Sequence, residues 1–244
     1  MSKVAVIVAA AGKSERFGKE ERKTLAKLDG RPVFLRTLEK FINRDDVCKT
    51  ILVVAADDVQ EMKEKFGANL GFMGVALVEG GAERVESVEA GFNAVPDEAE
   101  MVAVHDAARP CVSDEMIDAV FAEAGKSGAA ILASPLVGTI KRATPEKVIE
   151  ETVSRENLYE AQTPQVFRRD ILAKAFAEKP EDLSAITDDA ALAEHLGIPV
   201  TIVESDRTNL KITTKSDITL ANAIIKSRPT KAVSKFGAFD EAQW

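Results

Sequence analysis

Short apolar segments rich in β-branched residues alternate with segments of helical periodicity along most of this chain. The predicted strands span residues 4–10, 50–55, 75–78, 101–105 and 129–133, and the predicted helices span 33–42, 59–66, 84–94 and 115–124. Alternation of this kind requires right-handed crossovers and is typical of an α/β fold with a doubly wound, Rossmann-like and mostly parallel sheet. Ligands of such sheets bind beyond the carboxyl ends of the strands. We therefore expect the functional residues in the loops that follow the strands.

The alternation ends after residue 135. There, two charged segments at 139–143 and 148–154 flank the turn-forming residues 144–147, which predicts a β-hairpin. Because these segments carry little apolar surface that could anchor them to the main core, we predict a projecting arm, at about residues 136–160, that packs on a second subunit of a homodimer. The chain then returns through residues 164–167 and forms helices at 170–176, 188–196 and 217–225 and a strand at 200–203.

Length, charge and cysteine content narrow the class of protein further. The 244 residues, 45% of them hydrophobic, predict one domain at residues 1–228, arm included, and a loose tail at 229–244. The net charge of -8 argues against broad nucleic-acid binding, which needs a basic face. The apolar runs are too short to cross a bilayer and no cleavable signal precedes the first strand, which predicts a cytoplasmic protein without membrane contact. Cys48 and Cys111 are far apart and are expected to be reduced thiols.

The loop after the first strand combines small residues with cations. Residues 9–18 read Ala-Ala-Ala-Gly-Lys-Ser-Glu-Arg-Phe-Gly, and further cations follow up to Lys23. Small residues let backbone amides approach phosphates, and the cations offset the charge of a triphosphate. A Walker A loop is excluded because Gly12 and Gly18 enclose five residues instead of four. Ser14 stands where the dinucleotide fingerprint needs glycine, which argues against a hydride-transferring reductase. A solvated basic loop is the alternative interpretation.

A second candidate motif, His-Asp-Ala-Ala-Arg-Pro at residues 105–110, follows the apolar strand that begins at Met101. A carboxylate at a strand end of a doubly wound sheet suits a metal ion or a polar substrate. Structural interpretations also exist, since Asp106 is able to cap a turn or to pair with Arg109. For His105 we favour the structural interpretation, a hydrogen-bonded histidine of the core.

Both motifs resemble those of known nucleotide-transferring enzymes. Ala-Ala-Gly-x-x-x-Arg at residues 10–16, followed by Lys23, is similar to the N-terminal signature of sugar-phosphate nucleotidylyltransferases, except that Arg22 stands where the signature usually has Pro. His-Asp-Ala-Ala-Arg-Pro resembles a hallmark of the methylerythritol-phosphate cytidylyltransferase family and its close relatives. Further matches lie, in the same order, at residues 80–84 with Ser87, 139–142, 152–155, 162–165, 186–188 and 209–213. The resemblance extends over roughly residues 3 to 226.

The resemblance implies an enzyme that joins CTP to 2-C-methyl-D-erythritol 4-phosphate and releases pyrophosphate, with Mg²⁺ or another divalent cation, in isoprenoid precursor synthesis. A ribitol-5-phosphate cytidylyltransferase, which shares the fold and many of the motifs, is the nearest alternative. A nucleotide-binding regulatory module without turnover is a more distant one. The implied partners are CTP, a sugar-alcohol phosphate and a second copy of the chain.

The same resemblance assigns roles to residues that are scattered in sequence. The catalytic residues it implies are Arg16, Lys23, Arg155 and Lys211. The implied nucleotide-binding residues are Ala10, Ala11, Gly12, Gly80, Gly81, Ala82, Ser87 and Asp106. The implied residues for the polyol phosphate are Asp106, Ala107, Arg109, Thr139, Arg155, Thr163, Thr187 and Lys211. Asp106 is also the expected metal ligand. In the family an acidic residue usually follows the glycine pair, where this chain has Ala82, so recognition of the base is expected to depend on backbone groups.

Overall fold

A computed structural model describes residues 2–12, 17 and 22–228 of the chain. Within these residues the strands are β1 (Val4–Ala9), β2 (Lys27–Leu28), β3 (Arg31–Pro32), β4 (Val47–Val54), β5 (Val75–Glu79), β6 (Met101–Asp106), β7 (Ala129–Pro135), β8 (Ile140–Ala143), β9 (Ile149–Val153), β10 (Tyr159–Arg168) and β11 (Thr201–Glu204). The helices are α1 (Val33–Leu38), α2 (Val59–Phe72), α3 (Arg84–Phe92), α4 (Asp114–Ser127), α5 (Arg169–Ala177), α6 (Asp189–His195) and α7 (Lys215–Ser227). In this described part of the chain, no helix combines the length and apolarity needed to cross a membrane.

Seven strands form one sheet in the order β11-β7-β10-β6-β1-β4-β5. All neighbouring pairs are parallel except those that involve β10, which lies antiparallel between β6 and β7. The predicted α/β fold with a mostly parallel, doubly wound sheet is therefore confirmed. The chain runs from β1 outward to β4 and β5 and then crosses to β6 on the other side of β1, so the strand order reverses beside β1. A reversal of this kind opens a crevice at the carboxyl ends of the two strands.

The core lies on both faces of this sheet because each central strand is buried on both sides. Along β1, Val4, Val6 and Val8 belong to one apolar cluster, whereas Ala5 and Ile7 belong to the cluster on the opposite face. This alternation has the period of two that a strand imposes on its side chains. Fully burying one Val or Ile side chain contributes roughly 1.5–3 kcal/mol, so the central strands are rigid supports for the loops at their ends.

The predicted hairpin is confirmed as β8 and β9, which form a two-stranded antiparallel sheet of their own. The strands pair from Ile140 opposite Val153 to Ala143 opposite Ile149. Cross-strand polar contacts support the pairing, since Lys141 Nζ donates to Thr152 Oγ1 at 2.6 Å. Most side chains of the hairpin are exposed in the single chain.

Most of strand β10 and the hairpin of β2 and β3 were not predicted. Only residues 164–167 were expected to return to the sheet, but β10 extends over ten residues and lies antiparallel between β6 and β7. The short hairpin of β2 and β3 turns at Asp29 and Gly30, both of which have positive φ angles, 50° and 79°. An Asp-Gly pair favours such a turn, so the sequence contained the signal. The predicted tail at 229–244 lies outside the described residues.

Candidate active site

The loops that follow β1, β5 and β6 leave the sheet at the same edge. The Ala10 amide donates to the Val53 carbonyl of β4 at 2.7 Å, and the Gly80 amide donates to the Val54 carbonyl at 2.8 Å. On the other side, the Ala107 amide donates to the Ala9 carbonyl at 3.0 Å. Ala10, Gly80 and Ala107, which begin the three loops, are thus hydrogen-bonded to the ends of β1 and β4.

The Asp106 carboxylate, at the end of β6, is surrounded by three cations. Lys211 Nζ lies 2.7 Å and Arg109 Nε 3.3 Å from Asp106 Oδ2, while Arg84 Nη2 lies 3.8 Å from Oδ1. The carboxylate is almost fully buried, with 8% of the residue exposed. Each cation comes from a different segment of the chain, so the folded sheet brings together charges that lie more than a hundred residues apart in sequence. We call Asp106, Arg84, Arg109 and Lys211 the carboxylate cluster.

Charge balance in the carboxylate cluster keeps Asp106 ionised. Burial alone raises the pKa of its carboxyl, but Lys211, Arg84 and Arg109 together outweigh burial and hold that pKa well below its ordinary value. Counting Asp189, which pairs with Arg84 at 2.7 Å, two carboxylates face three cations, so one positive charge is in excess. Such an excess suits a polyanionic ligand at this edge of the sheet.

Arg84 was not among the predicted site residues. It begins α3, three residues after Gly81, and its Nη2 atom pairs with Asp189 Oδ2 at 2.7 Å. Burial lowers the pKa of the Arg84 guanidinium, but Asp189 and Asp106 outweigh burial and raise it. Burial raises the pKa of the Asp189 carboxyl despite the opposing effect of Arg84. A charged residue at the start of a helix after a glycine pair was the signal available in the sequence.

His105 has the structural role that we favoured. Its ring is fully buried, with Nε2 3.1 Å from the Arg109 carbonyl and Nδ1 3.1 Å from Thr163 Oγ1. A carbonyl only accepts, so Nε2 carries the proton and Nδ1 accepts from the Thr163 hydroxyl. That hydroxyl in turn accepts from the Asp106 amide at 3.0 Å. Burial lowers the pKa of His105 to about 4, which matches this neutral, doubly bonded ring.

Arg109 and Thr163 are committed to contacts within the protein. Arg109 Nη1 donates to the Asn209 carbonyl at 2.7 Å, and Asn209 Nδ2 donates to the Thr163 carbonyl at 2.9 Å. Asn209 is fully buried and also donates to Gln162 Oε1. Gln162 and Asn209 therefore hold the loops around the carboxylate cluster, a role that sequence reasoning missed. Whether Arg109 and Thr163 also contact a substrate stays a prediction.

The glycine pair after β5 is sterically required. A Cβ on Gly80 would lie 2.7 Å from Ser87 Oγ, and one on Gly81 would lie 2.4 Å from the Cβ of Glu86. The Ser87 hydroxyl donates to the Gly81 carbonyl at 3.2 Å, and Glu83 with Glu86 forms a capping box at the start of α3. The turn is therefore tightly packed on its inner side. Ala82 is exposed, so the outer side of the turn is open to a ligand.

The remaining predicted residues lie at different depths. Lys23 is half-buried in a turn after the first loop, and Arg16 lies outside the described residues. Thr139 and Arg155 flank β8 and β9 at the open end of the hairpin, where both are exposed. Thr187 is exposed two residues before Asp189. One chain therefore builds the glycine pair and the carboxylate cluster at the sheet edge where Ala10 also lies, whereas the contacts seen in the described residues include none between the arm residues and that cluster.

Asp106 has a donor arrangement that fits a magnesium ion. Within the described residues no set of three His, Cys, Asp or Glu side chains is grouped to hold a metal. In nucleotide sites Mg²⁺ keeps several waters and binds one or two carboxylates together with substrate phosphates, so one carboxylate is enough. Lys211 and Arg109 occupy Asp106 Oδ2, whereas Oδ1 faces Arg84 at 3.8 Å, beyond hydrogen-bond distance. Oδ1 is therefore the Asp106 oxygen without a hydrogen bond from these cations, and it would serve a cation that arrives bound to the substrate phosphates.

Comparisons with known proteins give a consistent result. The family model for 2-C-methyl-D-erythritol 4-phosphate cytidylyltransferase matches residues 4–227. A curated protein of that name from Rhodopirellula baltica is 41% identical over 233 residues, which cover 91% of this chain and 94% of the relative. Another from Alkaliphilus oremlandii is 38% identical, with 93% and 97% covered.

Solved structures agree with the sequence comparisons. The crystal structure of 2-C-methyl-D-erythritol 4-phosphate cytidylyltransferase from Francisella tularensis superposes with a TM-score of 0.76 and 31% identity, over 91% of this chain and 100% of that one. The 4-diphosphocytidyl-2C-methyl-D-erythritol synthase from Anaerococcus prevotii superposes with a TM-score of 0.77 and 27% identity, over 92% and 99%. The matches cover nearly the whole chain in both sequence and structure, and the chain therefore belongs to the 2-C-methyl-D-erythritol 4-phosphate cytidylyltransferase family.

Proposed function

We propose that this chain converts CTP and 2-C-methyl-D-erythritol 4-phosphate to 4-diphosphocytidyl-2-C-methyl-D-erythritol and pyrophosphate, a step of isoprenoid precursor synthesis. Membership of the family supports the reaction. The observation that carries it is the convergence of Arg84, Arg109 and Lys211, which follow β5, β6 and β11, on the carboxylate of Asp106, where three cations face two carboxylates once Asp189 is counted. A triphosphate and a phosphate monoester are the kind of ligands that such an excess of positive charge attracts.

The nucleotide binds, in this proposal, between the first loop and the glycine pair. The residues that contact it are Ala10, Ala11, Gly12, Gly80, Gly81, Ala82, Ser87 and Asp106. Backbone amides of the first loop cradle the phosphates, since small side chains allow close approach. The open outer side of the glycine turn exposes backbone groups that read the cytosine edge, as Ala82 has no polar side chain for that purpose.

Chemistry proceeds by in-line displacement. An oxygen of the polyol phosphate attacks the α-phosphorus of CTP, the new P–O bond forms, and the bond from the α-phosphorus to the α,β-bridging oxygen breaks as pyrophosphate leaves. No covalent intermediate with the protein is needed, so catalysis consists of positioning and charge stabilisation. Arg16 and Lys23 stabilise the charge that builds on the α-phosphate oxygens. Lys211, whose side chain is 39% exposed, orients the attacking phosphate beside Asp106.

Asp106 is the residue that would hold a divalent cation, Mg²⁺ in this proposal. When bound, Mg²⁺ neutralises charge on the triphosphate and favours departure of pyrophosphate. The ion pairs with Arg84 and Lys211 keep Asp106 deprotonated and therefore ready to act as a ligand. The chain thus contributes one charged oxygen and the position of that oxygen relative to the phosphates.

The polyol phosphate binds, in this proposal, on the far side of Asp106. Its residues are Asp106, Ala107, Arg109, Thr139, Arg155, Thr163, Thr187 and Lys211. Thr139 and Arg155 come from the arm, and we propose that the arm of a second copy of the chain brings them to this site. Exposed apolar side chains on the arm support a homodimer, because Val148 and Ile149 are 62% and 61% exposed in the single chain.

A pyrophosphate-release assay tests the proposed reaction. The chain is incubated with CTP and Mg²⁺ and, in separate samples, with 2-C-methyl-D-erythritol 4-phosphate or ribitol 5-phosphate. We expect release with the methylerythritol substrate, and equal or faster release with ribitol 5-phosphate would contradict the proposed substrate. Lack of release with either substrate would instead favour a non-catalytic module. No contact in the described part of the chain favours either alternative, and the cytoplasmic location expected from the sequence stays a prediction.

A further inference from the structure

A second ion pair lies next to the first loop, away from the carboxylate cluster. The Arg22 guanidinium contacts the carboxylate of Asp58, which follows β4 in the short 3-10 turn before α2. The Asp58 side chain is 11% exposed and that of Arg22 is 44% exposed. The pair therefore joins a surface arginine to a carboxylate that is anchored in the body of the fold. Arg22 and Asp58 received no role from the sequence.

Arg22 begins the turn that carries Lys23. The Arg22 carbonyl accepts from the Leu25 amide at 3.0 Å and from the Ala26 amide at 3.1 Å, so residues 22–26 form one hydrogen-bonded unit. The Thr24 carbonyl accepts from the Phe34 amide at 3.0 Å, which fixes the far side of this unit to the start of α1. The ion pair with Asp58 fixes its near side. Any displacement of Arg22 is therefore transmitted to Lys23, the next residue in the chain.

The position of the pair relates it to the nucleotide loop. Arg22 and Asp58 line one narrow cleft together with Ala10, at the carboxyl ends of β1 and β4. Asp58 Oδ1 is buried and has no hydrogen-bond partner among the described residues. Its carboxylate therefore depends on Arg22 for charge compensation, because a buried carboxylate without a partner is costly. Loss of Arg22 would remove that compensation and release the turn.

We propose that Arg22 is a positioning residue whose ion pair with Asp58 holds Lys23 at the α-phosphate of CTP. This inference rests on the proposed function for its catalytic readout. Lys23 acts on charge that develops in the transition state, so its displacement lowers kcat more than it raises KM. Small misplacements of a catalytic group are known to cost up to about 100-fold in rate. Substitution of Arg22 or Asp58 should therefore lower kcat with little change in KM for CTP.

The test uses Arg22→Gln, Asp58→Asn and the double variant in the full-length protein. Each single variant is expected to lower kcat by roughly 10-fold with less than about a 2-fold change in KM for CTP, and the double variant is expected to be no slower than either single one. Arg22→Lys, which keeps the charge, should recover part of the loss. Arg168→Gln is the matched control, because it removes another exposed arginine that pairs with an aspartate, Asp170, and it should leave kcat unchanged.

Amide hydrogen exchange provides a readout that does not require turnover. Release of the turn should speed exchange at the Leu25 and Ala26 amides by roughly 10-fold in Arg22→Gln and Asp58→Asn, with no change in Arg168→Gln. Exchange of these amides at the wild-type rate in both single variants would overturn the positioning role. A double variant whose fold-loss of kcat equals the product of the two single losses would overturn it as well. A wild-type protein without pyrophosphate release would instead refute the proposed reaction, and the exchange data would still decide whether the pair holds the turn.

Discussion

The carboxylate cluster and the open end of the arm differ in how completely a single chain builds them. At the cluster, Asp106 is buried and contacts three cations from three segments. At the arm, Thr139 and Arg155 are exposed, and the contact seen for Arg155 is to the Val137 carbonyl within the same region. One half of the proposed site is therefore rigid before any ligand binds, whereas the other half is not assembled.

This difference indicates how the two substrates are handled. A preorganised cluster stabilises developing charge without reorganisation at the moment of reaction. Exposed arm residues, in contrast, gain a fixed position only when a partner or a ligand covers them. We therefore expect substitutions in the rigid half to change stability and kcat, and substitutions in the arm to change binding of the polyol phosphate and to depend on the dimer.

Asp106→Asn should have the largest effect on stability. The substitution keeps the shape of the side chain but leaves Arg84, Arg109 and Lys211 without their common anion. Breaking a buried ion pair from one side costs roughly 3–5 kcal/mol, and we expect the free energy of unfolding to fall by about 3 kcal/mol. Urea unfolding near neutral pH measures it. Asp170→Asn, which removes an exposed partner of Arg168, is the control and should change little. Similar losses in both variants would contradict the rigid cluster.

Lys23→Ala tests the chemistry proposed for the turn at residues 22–26, which lies outside the carboxylate cluster and is hydrogen-bonded to the start of α1. Loss of one preorganised donor to the transition state costs about 3 kcal/mol, so kcat should fall by roughly 100-fold while KM for CTP changes less. Steady-state pyrophosphate release measures both constants. Lys126→Ala, on the exposed face of α4, removes a cation that pairs with Glu123 and should leave kcat unchanged. A near-normal rate for Lys23→Ala would exclude Lys23 from the mechanism.

The pH dependence of the free energy of unfolding tests the preorganised half of the site, because His105 is buried beside the carboxylate cluster and no group of the described arm residues is. Burial lowers the pKa of His105 from 6.5 to about 4, so the unfolded chain takes up a proton before the folded chain does. The contribution of neutral His105 is fully present above pH 6.5 and is lost as pH falls toward about 4. Between these limits we expect stability to fall by about 1.4 kcal/mol per pH unit from this group alone. Urea unfolding of wild type and His105→Gln between about pH 4 and 6.5 isolates the contribution of His105 to the free energy of unfolding. Equal pH slopes for the two proteins would contradict a neutral, buried His105.

The sequence predicted the central strands of the sheet better than strand β10 and the segments that contact it. Central strands are buried on both faces, so β1, the second half of β4 (residues 51–54) and residues 101–104 of β6 are continuous apolar runs that are recognisable without tertiary information. Strand β10 was missed over most of its length because Gln162, Thr163 and Gln165 are polar and interrupt any apolar run. Their side chains are buried only because Asn209, His105 and Asp188 supply hydrogen bonds from distant segments. No local pattern contains those partners.

The same reasoning explains which site residues were recognised. Asp106 stands at the end of an apolar strand, so its position alone suggested a functional role. Arg84 and Asp189 form an ion pair across 105 positions of sequence, and the pairing depends on the packing of two helices against the sheet. The proximity of Lys211 to Asp106 likewise depends on the final fold. In the proposed function, the roles of Thr139 and Arg155 depend on the arm of a second chain, which one folded copy does not include.

Arg155→Ala should have the smallest effect of the four substitutions. The exposed guanidinium lies at the end of the arm, so its loss should raise KM for the polyol phosphate by roughly 10-fold, which corresponds to about 1.4 kcal/mol of binding, and leave urea unfolding unchanged. Initial rates over a range of polyol phosphate at saturating CTP measure this constant. A change in KM for CTP alone would place Arg155 outside the polyol phosphate site.

Mixing Arg155→Ala with Lys23→Ala decides whether the two halves come from different chains. If the arm crosses the dimer, each mixed dimer has one site with both substitutions and one site with neither. Random pairing makes half of the dimers mixed, so about a quarter of all sites carry neither substitution. At polyol phosphate well below KM, where Arg155→Ala is itself slow, about a quarter of wild-type activity should return, well above the average of the two parents. If both residues served the same chain, every site would keep one substitution and activity would not rise. In demonstrably mixed dimers, the absence of a gain would contradict a site shared between two chains.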